Sequence, residues 1–384
     1  MAAFIISSFI DFWFLLKMQL KPILAKTIVI FLLILLLIKN RPWSIKTEIP
    51  SKIEIKNVLL MAYWRTGSSY FGQLLSHYPK TYYSYEPEHY LSNPVSFDYV
   101  KKNPLNSLVT KYFLKENKWI NYSQEDTLTL VGNIFQCNFK SKFMKGYLRH
   151  VKEMWNLALH SPYMVDNCHI KPKCLDDKTL HFRLCSNSTM NLIKSVRLRS
   201  DIINILLEKY PNLMIIMLVR DPRAVMNSRL SANWCGNKPH CLDTSYCNDL
   251  FADTEMAMRL THTYPGRIRI VRYEDLVSNR SSVLTHTLQA FGLNVTLERI
   301  DNFFTELESS TDFLENEEHQ GALYYKRKPM DVATKWMHQL PEETVEAIEN
   351  KCLKPMKLLG YMKKNDTIIE SKMLDIELLK LIIQ

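Results

Sequence analysis

The chain has 384 residues, of which 47% are hydrophobic and 23% are charged, and its formal net charge is +10 at pH 7. This composition excludes an intrinsically disordered chain, and the length allows one large α/β domain or two smaller ones. The positive charge indicates an acidic partner, although it does not separate nucleic acid, a membrane surface and an anionic small molecule.

An apolar segment near the N-terminus predicts a membrane anchor. Residues 27–38 carry no charge but are too few to cross a hydrocarbon core of about 30 Å, so the span must begin near Leu20 and tolerate Lys26. A buried core helix is the alternative. The sequence therefore predicts a cytoplasmic tail over 1–19, a transmembrane signal-anchor over 20–38, a stem over 39–56, a lumenal domain over 57–364 and a C-terminal tail over 365–384 that packs on the domain.

The stretch from Asn57 to Tyr78 predicts a strand, a tight turn and a helix. Residues 58–62 form an apolar run typical of a strand buried on both faces, and the turn 64–69 follows at once. Backbone amides, the helix dipole, serine hydroxyls and Arg65 converge there, so the turn predicts an anion site. An ordinary serine N-cap is the alternative. The usual phosphate-binding loop, Gly-x-x-x-x-Gly-Lys-Ser/Thr, ends in a Lys and a Ser/Thr that binds a metal, and the turn lacks this pair. A metal-dependent nucleotide kinase is therefore disfavoured.

The next segments predict a second strand and a covering insertion. Residues 81–86 indicate a strand that ends before Pro87, which places Glu86 on the same rim as Arg65. Residues 92–160 fit an insertion that covers the substrate, with helical patches at 128–135 and 144–159.

The turn at Arg65 is a basic corner, which means a strand-to-helix turn that carries an arginine. A second basic corner follows the buried strand predicted over 213–219. A helix over 200–209 precedes this strand, and a helix over 224–230 with Pro222 in its first turn follows it. If the two buried strands are neighbours, Arg220 and Ser228 can hold a second phosphate of one ligand. The alternative is an ordinary charged strand end with an aspartate N-cap. A third strand is predicted over 267–271, followed by a helix that continues to Phe291.

Cysteines and glycosylation sequons favour the lumen of the secretory pathway. The eight cysteines are expected to form disulfides rather than a zinc site, because no Cys-x-x-Cys pair occurs, and their connectivity cannot be read. No His/Asp/Glu constellation indicates another metal site. Glycosylation acceptors are predicted at Asn121, Asn187, Asn279, Asn294 and Asn365.

Several motifs together resemble one known family. They are RTGSS at 65–69, YEP at 85–87, IFQCNF at 134–139, IKSVRL at 193–198, LVRDPRAVMNSR at 218–229, YPGRIRIVRYEDLV at 264–277, ATKW at 333–336 and CLKPMKLLGY at 352–361. In this order they resemble the membrane-anchored carbohydrate sulfotransferases of the Golgi. The similarity is to the branch that sulfates the 6-hydroxyl of galactose, N-acetylgalactosamine or N-acetylglucosamine.

The resemblance implies an α/β, P-loop-like sulfotransferase fold, with a mostly parallel sheet and helices on both faces. It also implies the co-substrate 3′-phosphoadenosine 5′-phosphosulfate (PAPS) and a Golgi type II membrane protein whose partner is a glycan acceptor. Nucleic acid is not an expected partner, and an oligomer is possible. The implied donor-binding residues are Trp64, Arg65, Thr66, Gly67, Ser68, Ser69, Arg220, Asp221, Arg223, Asn227, Ser228 and Arg327. Two departures from the family pattern are Thr66 in place of Ser and Met337 in place of Arg.

The implied reaction is in-line displacement at sulfur by an acceptor hydroxyl, which needs positioned cations but no metal. Arg65 is the predicted catalytic cation and Glu86 the predicted general base, with a structural carboxylate paired to an arginine as the alternative for Glu86. Weaker base candidates are His77, His89 and His169. Lys194 and Arg197 are tentative acceptor-binding residues, with solvated charge as the alternative. A glycan-binding protein that has lost turnover and, less favoured, an ATP-dependent kinase are the competing functions.

Overall fold

The computed structural model describes residues 56–92, 111–113, 119–121, 124–158, 160–168, 172–232, 245–309 and 329–364. They belong to one compact unit that extends over Ile55–Gln384. The predicted anchor over 20–38, the tail over 365–384, Arg327 and His169 lie outside these residues. Within the described part, no helix is both long and apolar enough to cross a membrane.

Among the described residues, five parallel strands form the central sheet, in the order β2-β5-β1-β6-β7, and a short antiparallel pair, β3 and β4, lies apart. The strands are β1 (Lys56–Ala62), β2 (Thr81–Tyr85), β3 (Lys111–Phe113), β4 (Trp119–Asn121), β5 (Met190–Ser195), β6 (Leu213–Val219) and β7 (Ile268–Arg272). The structure thus confirms the predicted parallel α/β sheet.

The described helices lie between and after these strands. They are α1 (Ser68–Ser76), α2 (Gln124–Phe135), α3 (Lys142–Glu153), α4 (Trp155–Ala158), α5 (Pro162–Asn167), α6 (Lys178–Ser186), α7 (Ser200–Lys209), α8 (Pro222–Leu230), α9 (Ser245–Thr263), α10 (Tyr273–Ser278), α11 (Arg280–Ala290), α12 (Leu297–Ser309), α13 (Pro329–Thr334), α14 (Trp336–Gln339), α15 (Glu342–Lys351) and α16 (Leu353–Leu358). Two 3₁₀ helices, η1 (Pro87–Ser92) and η2 (Lys173–Asp176), complete the set.

Two predicted helices are interrupted. The helix expected over 144–159 breaks at Met154, whose φ of −100° and ψ of 42° end α3. The helix expected to run from β7 to Phe291 breaks at Asn279, which lies between α10 and α11. The Asn279 side chain accepts a hydrogen bond of 3.3 Å from the Ser282 amide, and such local capping competes with helix continuation.

Helices cover both faces of the sheet, because alternate residues of each strand point to opposite sides. On one face, Val58 and Leu60 of β1 pack with Phe71 and Leu74 of α1. On the other face, Leu59 and Met61 belong to a larger core with α2, α3 and α7. The whole of β1 after Lys56 is buried, which explains why its sequence is a continuous apolar run.

Three disulfides are present among the described residues, and they confirm the prediction that the cysteines pair. Cys137–Cys185 joins the end of α2 to α6, Cys168–Cys174 closes a short loop, and Cys247–Cys352 joins α9 to the boundary of α15 and α16. Cys235 and Cys241 lie outside the described residues. In the part of the chain that the structure describes, no group of His, Cys, Asp or Glu side chains is arranged to hold a metal ion.

The order of the strands creates a crevice between β1 and β6. After β1 the chain moves toward β2 on one side of the sheet, whereas after β6 it moves toward β7 on the other. Ligands in open α/β sheets bind at such a switch point, beyond the carboxyl ends of the strands. Because β1 and β6 are direct neighbours, the two predicted basic corners lie side by side.

Candidate functional site

The loop from Tyr63 to Gly67 joins β1 to α1 in a tightly held conformation. The backbone N–H and the hydroxyl of Thr66 both donate to the Tyr63 carbonyl oxygen, at 3.3 and 2.8 Å. Arg65 has a φ of 73° and Gly67 a φ of 91°, both in the left-handed region. A non-glycine residue in that region costs about 1–3 kcal/mol, and such residues cluster at functional sites.

Gly67 is required by its surroundings as well as by its backbone. A Cβ atom at this position would lie 2.3 Å from Cε2 of Tyr273, the first residue of α10. The loop and that aromatic ring are therefore in close contact. Gly67 is also the N-cap of α1, so the free amides of the first helical turn face the end of the loop. These amides and the helix dipole favour an anion at this point.

Arg220 links the second corner to the first. Its Nη1 donates to the Arg65 carbonyl oxygen at 2.9 Å and its Nη2 to the Val332 carbonyl oxygen at 2.5 Å. Its guanidinium carbon lies 4.7 Å from the centre of the Tyr273 ring. Because Arg220 is only 3% exposed, it supports the β1–α1 loop from behind, and it contributes its charge from below the surface.

Arg65 contacts the helix that follows β6. Its Nε donates to the hydroxyl of Ser228 at 2.9 Å, and Ser228 lies on α8. Residues that are 163 positions apart in the chain thus meet directly. The structure brings together Arg65, Arg220 and Ser228, which the sequence assigned to two phosphates of one nucleotide.

Other predicted donor residues have structural contacts. Asp221 caps α8 by accepting from the Arg223 amide at 2.8 Å, which is the aspartate N-cap named as the alternative. Arg223 is 5% exposed and pairs with Asp221 at 2.7 Å and with Glu349 at 2.6 Å. Its guanidinium also lies 4.1 Å from the centre of the Trp336 ring. These contacts favour a structural role for Arg223 over contact with the donor.

The remaining members of the predicted donor set lie near this loop and helix. The Asn227 side chain on α8 donates to Gln339 Oε1 of α14 at 2.9 Å. Trp64 is half-buried and packs against both hydrophobic cores. Ser68 is buried in the first turn of α1.

Glu86 forms a buried charge cluster at the carboxyl end of β2. One carboxylate oxygen accepts from Lys194 Nζ and the other from Arg197 Nη1. Burial alone would raise the pKa of Glu86, but these two cations hold the pKa at about 2. A carboxylate with so low a pKa is a weak base at neutral pH, so the contacts favour the predicted alternative, a structural carboxylate.

Burial contradicts solvated charge, the alternative to acceptor binding for Lys194 and Arg197. They are 1% and 6% exposed, and Lys194 lies inside β5. Strand register explains the cluster, because Lys194 is the direct neighbour of Tyr85 in the parallel pair β2–β5. That pairing brings Lys194 of β5, and Arg197 just beyond it, to the residue that follows β2.

The predicted base candidates among the histidines are engaged elsewhere. His77 Nδ1 lies 2.7 Å from the Gln73 carbonyl oxygen, and its ring packs against Phe303. His89 Nδ1 lies 3.2 Å from His150 Nε2, and burial lowers the pKa of His89 to about 4.

Sequence reasoning missed three polar residues beside the loop and the charge cluster. The Tyr85 hydroxyl lies 2.7 Å from Ser69 Oγ, and the His160 ring stacks on the Tyr85 ring at 4.0 Å. Burial raises the pKa of Glu88, which is 1% exposed, to about 7. The YEP motif contained the signal for Tyr85, but His160 is the last residue of the segment 92–160, which the sequence assigned only to a covering insertion.

The chain is similar over most of its length to several proteins of known activity. It is 22% identical to carbohydrate sulfotransferase 1 of Danio rerio over 347 residues, which cover 80% of this chain and 78% of the relative. It is 24% identical to human carbohydrate sulfotransferase 3 over 336 residues, with coverages of 81% and 68%. It is also 24% identical to human carbohydrate sulfotransferase 6 over 384 residues, with coverages of 88% and 87%.

Solved structures show more remote likeness. The sulfotransferase domain of the Synechococcus PCC 7002 olefin synthase is 18% identical with a TM-score of 0.42, and the match covers 80% of this chain and 96% of that domain. A mouse sulfotransferase complexed with PAP is 10% identical with a TM-score of 0.40, with coverages of 83% and 88%. The model of the sulfotransferase family matches residues 58–297, more than half of the chain, and this protein therefore belongs to the sulfotransferase family.

Proposed function

We propose that this protein transfers a sulfuryl group from PAPS to the 6-hydroxyl of a hexose or N-acetylhexosamine in a glycan. The observation that carries the proposal is the meeting of Arg65, Arg220 and Ser228 at the crevice between β1 and β6, beside the free amides of α1. Guanidinium groups, hydroxyls and helix N-terminal amides are the donor set that a nucleotide with two anionic groups requires.

The two corners have different roles in holding PAPS. Ser68, Ser69 and the first amides of α1 bind the 5′-phosphosulfate. Ser228 binds the 3′-phosphate, and Arg220 contributes its buried charge while it holds the loop through the Arg65 carbonyl oxygen. Arg327, which lies outside the described residues, is proposed to close over the donor.

In the reaction, the acceptor hydroxyl attacks sulfur while the bridging oxygen of the 5′-phosphate leaves. Negative charge grows on that leaving oxygen, and Arg65 and the loop amides neutralise it. Loss of one preorganised donor of this kind lowers the rate by about 10²–10³-fold. Fixed cations can serve here in place of a metal.

For Glu86, we propose an anchoring role in which it holds Lys194 and Arg197, and its use as general base can be tested directly. If Glu86 anchors the two cations, Glu86→Gln lowers the melting temperature, because it leaves buried charges without their partner. If Glu86 is also the base, the folded variant loses in addition about 10²–10⁴-fold in turnover, which is the usual contribution of a general base.

The relatives, the disulfides and the sequons support the proposed acceptor and compartment. The relatives named above are carbohydrate sulfotransferases, which supports a glycan acceptor. Three disulfides and the exposed sequon asparagines Asn187, Asn279 and Asn294 support a secretory lumen. We therefore propose a single-pass type II protein of the Golgi membrane, anchored by residues 20–38.

Transfer of radiolabelled sulfate from PAPS to a panel of desulfated glycosaminoglycans and N-acetyllactosamine tests the proposal. We expect Arg65→Ala to lose about 10²–10³-fold in transfer rate. The matched control is Arg259→Ala, because Arg259 is exposed on α9 and, among the described residues, forms its ion pair within its own helix, at Glu255. Near-normal transfer by the Arg65 variant would remove Arg65 from the mechanism.

Thermal shift separates the competing functions. Stabilisation by adenosine 3′,5′-bisphosphate but not by ATP supports a PAPS enzyme, whereas the reverse supports a kinase. A protein that binds PAPS and never consumes it with any glycan of the panel would support a binding protein without turnover.

A further inference from the structure

Tyr85 connects the charge cluster at Glu86 to the β1–α1 loop. It is the last residue of β2, and its hydroxyl oxygen lies 2.7 Å from the hydroxyl oxygen of Ser69 in the first turn of α1. Ser69 belongs to the set proposed to bind the 5′-phosphosulfate. Tyr85 therefore touches a donor-binding group from the interior of the protein.

The surroundings of Tyr85 indicate which of the two hydroxyls donates the hydrogen bond. Lys194 Nζ lies 4.0 Å from the centre of the Tyr85 ring and donates a hydrogen bond to Glu86. A phenol hydroxyl is a stronger acid than a serine hydroxyl, and the ammonium group beside the ring increases its acidity, so Tyr85 is the donor of this pair. The Tyr85 proton is then donated to Ser69 Oγ, and the Ser69 proton is left to point toward the anion site.

The position of the Tyr85 ring is fixed on both sides. The His160 ring is parallel to it within 11° at a centroid distance of 4.0 Å, and the Tyr83 ring meets its edge at 6.2 Å. Burial lowers the pKa of His160 to about 4, and the nearby Lys194 adds to this effect, so His160 is neutral at physiological pH. A ring packed in this way holds its hydroxyl in one place.

We propose that Tyr85 is a positioning residue that orients the Ser69 hydroxyl toward the transferred sulfuryl group, with Lys194 polarising the chain of hydrogen bonds. This inference rests on the proposed function. Chains of hydrogen bonds in a low-dielectric interior strengthen one another, so the buried positive charge of Lys194 acts on the donor through two hydroxyls. This role of Lys194 also explains why Glu86 must hold Lys194 beside Tyr85.

The test compares Tyr85→Phe with Tyr83→Phe. Tyr83 is a matched control on the same face of β2, and its hydroxyl lies against Gly72 of α1, away from the loop. We expect Tyr85→Phe to lower kcat for sulfuryl transfer about tenfold at an unchanged melting temperature, and Tyr83→Phe to leave kcat unchanged.

A double-mutant cycle with Ser69→Ala identifies the pathway. If Tyr85 acts through Ser69, the Ser69→Ala/Tyr85→Phe double variant has the same kcat as Ser69→Ala alone. Independent effects, in which Tyr85→Phe lowers the kcat of Ser69→Ala by about a further tenfold, would overturn the inference, and so would a Tyr85→Phe variant that behaves like Tyr83→Phe. In both cases a wild-type protein that binds adenosine 3′,5′-bisphosphate and transfers sulfate leaves the proposed function intact. A wild-type protein that does neither contradicts the proposed function and the role of Tyr85 with it.

Discussion

Replacement of Gly67 by alanine tests whether the β1–α1 loop forms the site. The added Cβ would lie 2.3 Å from Tyr273 Cε2, a separation that real structures do not tolerate, so the ring or the loop must shift. Tyr273 is 4% exposed and its ring lies 4.7 Å from the guanidinium carbon of Arg220. A shift of the ring therefore disturbs the hydrogen bond from Arg220 to the loop.

The expected loss of stability has two parts. The left-handed backbone at a φ of 91° costs an alanine about 1–2 kcal/mol relative to glycine. The contact with Tyr273 adds about 1–3 kcal/mol, which is the usual cost of overpacking. Gly292→Ala is the matched control, because Gly292 has a φ of 72° and no described heavy atom lies within 4 Å of its added Cβ. Gly292→Ala should lose only the contribution from the left-handed backbone.

Urea denaturation and isothermal titration with adenosine 3′,5′-bisphosphate measure the two consequences. We expect Gly67→Ala to lose about 2–5 kcal/mol of unfolding free energy and to bind the bisphosphate at least tenfold more weakly. Gly292→Ala should lose about 1–2 kcal/mol and bind normally. Equal loss of stability in the two variants, with equal affinity for the bisphosphate, would refute the assignment of the loop.

Three further predictions concern buried charge and a disulfide. Because burial raises the pKa of Glu88 from 4.5 to about 7, the folded chain keeps a proton that the unfolded chain loses, and stability falls as the pH rises through this range. Glu88→Gln should therefore add about 3 kcal/mol to the unfolding free energy at pH 8 and little at pH 4, and a gain that is equal at both pH values would contradict this. Loss of Cys247–Cys352, which spans 105 residues, should lower the unfolding free energy by about 4–5 kcal/mol in denaturant titrations, and a change below about 1 kcal/mol would contradict this. Arg223→Ala should lower the unfolding free energy by about 3–5 kcal/mol, because it leaves Asp221 and Glu349 without their buried partner. Its affinity for the bisphosphate in calorimetry should be unchanged, and weaker binding by a folded variant would indicate that Arg223 contacts the donor.

The two basic corners could be predicted because local sequence determines them. Residues 58–62 of β1 and the whole of β6 are uninterrupted apolar runs, and each is followed within three residues by an arginine and then by a helix. Runs of this kind indicate strands that are buried on both faces, so the sheet core and its rim follow from the same pattern. The predicted strand over 213–219 and the predicted helix over 200–209 have the boundaries that the structure shows.

The Glu86 cluster could not be predicted in the same way, because it depends on which strands pair. β2 is followed in the chain by β3, β4 and α2–α6, and only the pairing of Tyr85 with Lys194 brings Glu86 to its two cations. Periodicity reports which face of a strand is buried, but not the neighbouring strand or its register. The disulfide Cys247–Cys352 could not be predicted either, because its cysteines are 105 residues apart and only the packing of α9 against the boundary of α15 and α16 brings them together.

The segment RDPR, residues 220–223, shows that a motif does not assign the same role to each of its arginines. Arg220 and Arg223 are both buried, but they meet different partners. Arg223 is matched by the carboxylates of Asp221 and Glu349, so its charge is cancelled where it lies. Arg220 donates to two backbone carbonyl oxygens, which carry no net charge, and its positive charge therefore remains available to an anion at the loop. In the proposed site, the electrostatic attraction of the crevice thus depends on Arg65 and Arg220, while the charge of Arg223 is used within the protein, where it joins Asp221 at the start of α8 to Glu349 of α15.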